Sequence, residues 1–104
     1  MMLILDITNP DLPVLIDEFV SPISRIVHRF GHETRLVRIE SATIHSSCTG
    51  IIICGTALAD SWYRSHHLMP LLNGWTGPIL GICAGMQMLL SETGGEIVPC
   101  TEIG

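Results

Sequence analysis

Apolar runs alternate along this chain with segments of helical period, a pattern that predicts a parallel sheet covered by helices. Residues 2–7 are almost continuously apolar, as a strand buried on both faces requires. Asn9, Pro10 and Asp11 come next, with helix-start chemistry. Leu12, Leu15, Phe19, Ile23, Ile26 and Phe30 then recur at steps of three and four, which puts them on one helical face. Pro22 falls inside that pattern and predicts a kink or a split. Gly31 is placed to end the helix in a left-handed conformation.

Residues 34–39 read as a second strand, with Leu36, Val37 and Ile39 set among Arg35 and Arg38. Residues 40–49 are polar and read as loop with a short helix at most. Ile51, Ile52, Ile53 and Cys54 form a third buried strand that stops at Gly55. Asp60 and Ser61 can cap a helix running from Trp62 to about Leu72, which Asn73 and Gly74 end. Residues 78–82 read as a fourth strand that runs into Cys83 and a helix over residues 84–90. Gly94 and Gly95 break this helix, and residues 96–98 begin a fifth short strand.

Composition changes this picture in one respect. Of the 104 residues 47% are hydrophobic, ample for a core, but only 14% are charged, against about 25% in a typical domain. Such a surface is unusually apolar or is covered by further protein, which fits a single, truncated domain over residues 1–104. An oligomer or partner covering an open edge is expected for the same reason. The net charge of −5 comes without a basic run, which excludes a nucleic-acid footprint. No apolar stretch approaches the ~18 residues of a membrane span. The apolar start lacks a positive leader and contains Asp6, so it reads as a strand and not a signal peptide.

The four cysteines, Cys48, Cys54, Cys83 and Cys100, form no C-x-x-C pair and match neither a zinc site nor a disulfide framework. A reduced, cytoplasmic protein without metal or cofactor is expected. Among the five histidines, His28 and His32 are separated by Gly31, and the adjacent His66 and His67 face different ways on a helix. His45 and Cys48 sit in a polar loop. A histidine acting as a base for Cys83 would have to reach the carboxyl edge of the sheet.

The chemistry concentrates at Gly81-Ile82-Cys83-Ala84-Gly85-Met86-Gln87. A G-x-C-x-G between strand and helix is the cysteine form of a nucleophile elbow. The chain must turn sharply at one residue, and side chains two before and two after that residue would clash, so Gly81 and Gly85 are needed. The nucleophile then projects at the tip, where helix N–H groups and the helix dipole favour a thiolate. The Ala84 N–H points where an oxyanion forms, and a second donor is expected from the loop at Gly55. Cys48, Cys54 and Cys100 read as ordinary buried thiols.

This segment closely resembles the G-x-C-x-G-x-Q signature of class I, triad-type glutamine amidotransferases. Residues 51–55 resemble their oxyanion strand and loop, and residues 94–98 the turn and strand after their elbow helix. The resemblance implies an α/β fold, flavodoxin-like or Rossmann-like, with an open, mainly parallel sheet in order 2-1-3-4-5 and helices on both faces. It implies that Cys83 attacks the side-chain amide of glutamine, that Gly55 and Ala84 supply oxyanion donors, and that Gln87 holds the substrate. Ammonia would then pass to a synthase domain or subunit. Two features depart from the family. The oxyanion loop is Gly55-Thr56-Ala57, where the family is richer in glycine. The family's His-x-Glu pair is absent from these 104 residues, so the chain is expected to be inactive alone. A non-catalytic binding module is one alternative. A cysteine hydrolase of the DJ-1/PfpI type is another, although that group carries a histidine just after the nucleophile, where this chain has Ala84.

Overall fold

In a computed structural model, which describes residues 1–94, four strands make one sheet. They are β1 (Met2–Asp6), β2 (Thr34–Arg38), β3 (Gly50–Ile53) and β4 (Ile79–Gly81). Their order is β2-β1-β3-β4 and every pairing is parallel, with Met2 opposite both Thr34 and Gly50, and Ile51 opposite Ile79. This is an α/β sheet with the expected order 2-1-3-4. The expected fifth strand and Cys100 lie outside the described residues.

Alternation along the strands divides the core in two, because successive side chains point to opposite faces. Leu3, Leu5, Ile51 and Ile53 face one side, where Tyr63, Leu68, Leu72 and Met88 cover them. Ile4, Ile52 and Cys54 face the other, against Val20, Ile16, Phe19, Ile23 and Val27. Helices therefore lie on both faces of the sheet. Leu80, Met86 and Leu90 remain exposed on β4, the edge strand of the described sheet, and on the helix after it.

Two helices differ from their sequence pattern, each for a proline. The first begins as a π turn (Ile16–Val20) and continues as α1 (Ser21–Arg29). A proline at position 22 has no N–H for the carbonyl four residues back, and its ring would press on that carbonyl. The wider turn relieves this, and the Ser21 N–H reaches five residues back to the Ile16 carbonyl. One inserted residue rotates the rest of the helix by roughly 100°. The packed face therefore shifts onto the buried Val20 and the partly buried Val27, while Ile26 and Phe30, placed on it by spacing alone, are 49% and 80% exposed. Gly31 ends the helix with φ +88° as expected.

The second difference concerns the helix expected over residues 62–72. A 3-10 turn (Trp62–Ser65) and the short α2 (Met69–Leu72) take its place, with His66 extended between them. Pro70 explains the gap, since a continuous helix would require its missing N–H at the His66 carbonyl. Of the two expected capping residues only Asp60 acts, its Oδ1 accepting the Trp62 N–H at 3.0 Å. No helix among the described residues is long and apolar enough to cross a membrane.

Candidate functional site

β4 hands over to α3 (Ala84–Glu92) through Cys83, whose φ of 50° and ψ of −113° put it in a region that non-glycine residues rarely occupy. It is the one non-glycine residue with positive φ among the described residues. Holding a residue there costs on the order of 1–3 kcal/mol, which the surrounding structure must offset.

The two flanking glycines show how. A Cβ at Gly81 would lie 2.6 Å from Met86 Cα, and one at Gly85 would lie 2.2 Å from the Ile53 carbonyl oxygen. Gly81 thus lets the first turn of α3 fold back over β4, as the sequence suggests. Gly85 does something further, seating the helix directly on the end of β3. The Gly85 N–H closes the bend on the Ile82 carbonyl at 2.9 Å.

That seating brings the β3 loop to the thiol. A Cβ at Gly55 would be 3.2 Å from Cys83 Cβ and 3.9 Å from the Ala84 nitrogen. Neither the Gly55 nor the Ala84 N–H has an acceptor among the described residues. Ala84 opens a helix, so its N–H belongs to the first turn that has no intrahelical partner. Two backbone N–H groups with no acceptor among the described residues therefore belong to residues next to the exposed Cys83.

The other described cysteines are sealed. Cys54 is fully buried, and burial together with the charge of Asp6 pushes its thiol up to about 12. Cys48 is buried with its Sγ on the Gly50 carbonyl at 3.3 Å. Only Cys83 among them is exposed.

The histidines do not complete a dyad. No hydrogen bond among the described residues reaches Cys83 Sγ. His28 and His45 sit with Met1 and with Trp75 respectively, at the amino ends of the strands. His66 stacks on Trp62 at 4.0 Å, and His67 Nδ1 lies 3.7 Å from Glu92 Oε1. No group of three or more His, Cys, Asp or Glu among the described residues could hold a metal.

Gln87 is exposed one turn along α3, its N–H on the Cys83 carbonyl at 3.0 Å. It helps line a cavity of about 540 Å³ with Tyr63, Arg64, His66, Met88 and Ser91. Cys83 is not in the wall of this cavity, which flanks α3 instead of opening at the thiol.

Three acidic groups shape the surroundings in ways that sequence reading did not anticipate, Asp60 having been expected only as a helix cap. Asp6 is fully buried, accepts the Thr8 N–H and hydroxyl at 2.8 and 2.7 Å, and pairs with Arg38 at 3.0 Å. Asp60 gathers the N–H groups of Asn9 and Trp62 and the Thr56 hydroxyl. Glu92 is half-buried. Its carboxylate accepts the Leu68 N–H at 2.7 and 2.8 Å and the Met69 N–H at 3.1 Å. Because Leu68 is fully buried, Glu92→Ala should strand that donor and cost about 1–3 kcal/mol in urea unfolding. An unchanged midpoint would remove Glu92 from the set of structural groups. The one signal in the sequence for such residues is a polar side chain at the end of an apolar strand, as at Asp6.

Comparison with known proteins gives one family. The model of the family described as Glutamine amidotransferase class-I matches residues 14–104. No curated protein and no solved structure matches the chain.

Proposed function

Since the chain belongs to the class I glutamine amidotransferase family, we propose that Cys83 is the nucleophile that releases ammonia from the side-chain amide of glutamine. One observation carries this reading: an exposed thiol at a strained strand-to-helix tip, beside two unpaired backbone N–H groups. The sulfur attacks the amide carbon and forms a C–S bond. The carbonyl electrons move to oxygen, where the Gly55 and Ala84 N–H groups receive the charge. Collapse breaks the C–N bond and leaves a glutamyl thioester, which water hydrolyses. Gln87, one turn away, holds the substrate.

The thiol proton must reach the departing nitrogen. The described residues offer no base at Cys83, and no His-x-Glu occurs in the sequence. Turnover by these 104 residues alone should fall short by the ~10²–10⁴-fold that acid–base help supplies. Ammonia then passes to a synthase domain or subunit. A nucleophilic thiol suits the reducing cytoplasm.

A chloroketone analogue of glutamine tests the assignment. Peptide mapping should find the label on Cys83, lost in Cys83→Ala and retained in Cys54→Ala. Equal labelling of every cysteine would refute the assignment.

A further inference from the structure

The loop that carries Gly55 contains threonine and alanine at positions 56 and 57, yet it must hold a backbone donor steady beside Cys83. Glycine at position 55 leaves the peptide free to rotate, so something else has to fix it. The Thr56 hydroxyl donates to Asp60 Oδ2 at 2.6 Å, and Thr56 is buried. The same oxygen accepts the Asn9 N–H at 2.9 Å, from the loop after β1. The other carboxylate oxygen accepts the Trp62 N–H at 3.0 Å. Trp62 is held in turn, for the Arg38 guanidinium lies 5.0 Å from its ring centroid. One carboxylate therefore ties the residue after Gly55 to the loop after β1 and to the first turn of its own connection.

We infer that Asp60 is a positioning residue, acting through Thr56 to fix the Gly55 peptide so that its N–H faces the oxyanion formed at Cys83. The inference rests on the reading of Cys83 as nucleophile. Burial works to raise the Asp60 carboxyl, but its three donors, the Thr56 hydroxyl foremost, together hold it below the usual range. The carboxylate is thus charged, and hydrogen bonds to it are the stronger kind.

The test separates chemistry that passes through an oxyanion from chemistry that does not. A γ-nitrophenyl ester of glutamate acylates a thiol through a tetrahedral oxyanion and releases nitrophenolate. Iodoacetamide alkylates the same sulfur by displacing iodide, with no oxyanion. Thr56→Val removes the hydroxyl and keeps the branched shape. It should lower the ratio of acylation to alkylation rates at Cys83 by ~10-fold, short of the 10²–10³ for outright loss of a donor. Asp60→Ala should do the same, and Thr56→Ser should restore the ratio. Equal losses with both reagents, or no loss with either, would overturn the inference. A native chain that fails to acquire the chloroketone label at Cys83 would instead bring down the proposed function, and this inference with it.

Discussion

Gly85→Ala is expected to destabilise the fold by on the order of 3 kcal/mol, and to slow acylation of Cys83 at the same time. An added Cβ would lie 2.2 Å from the Ile53 carbonyl oxygen and 2.8 Å from that of Cys54. Both are backbone atoms of a strand held on both sides, Ile53 being hydrogen-bonded in register between Leu5 and Gly81. No flexible side chain can yield, so α3 must lift. Overpacking usually costs 1–3 kcal/mol, and a rigid backbone neighbour puts this case at the top of the range. Against a total stability of 5–15 kcal/mol the loss is large. Lifting α3 also draws Ala84 away from Gly55, so the two N–H groups proposed to receive the oxyanion separate. Urea unfolding followed by far-ultraviolet dichroism reads the first effect, and nitrophenolate release reads the second. An alanine variant as stable as the native chain would mean that helix and strand do not approach so closely.

Arg38→Met should cost about 3 kcal/mol, the lower end of the 3–5 expected when a buried ion pair loses one partner. Asp6 is fully buried, whereas the Arg38 side chain is 23% exposed, which is why the lower end applies. The guanidinium also donates to the Thr8 carbonyl at 2.6 Å and pairs with Glu40, so its removal frees several groups at once. Asp6→Asn keeps an oxygen for the Thr8 donors and removes the charge that Arg38 neutralises. The double variant Asp6→Asn/Arg38→Met should therefore lose less than the sum of the single variants. Additive losses in urea unfolding would show that the two residues act independently. This pair sits at the carboxyl end of β1 and β2 and anchors Trp62, whose N–H is held by Asp60, the residue that also accepts the Thr56 hydroxyl in the Gly55 loop.

The elbow was legible in the sequence because its chemistry is local. Gly81, Cys83 and Gly85 lie within five residues, and a sharp strand-to-helix bend allows few side chains there. The isoleucine run at 51–53 and the apolar start of the chain declared their strands for a similar reason, since burial on both faces leaves no polar position. The strand order 2-1-3-4 came from the family resemblance and holds in the structure. Helical faces were less secure. One residue added to a turn ahead of Pro22 moved the buried stripe, and Pro70 divided a helix that capping alone would have allowed to continue.

Sequence by itself determined the strands around Cys83 and the bend that exposes it, since each depends on residues a few positions apart. Only tertiary structure decided that Gly85 must clear the end of β3 and that Asp60 ties Thr56 to Asn9. It also set Glu92 on the Leu68 amide and Arg38 on Asp6. Asn9 and Asp60 stand 51 positions apart, and Asp6 and Arg38 stand 32 apart. A hydrogen bond between such residues exists only once the sheet has brought the carboxyl ends of its strands together, and no local period or propensity encodes that meeting.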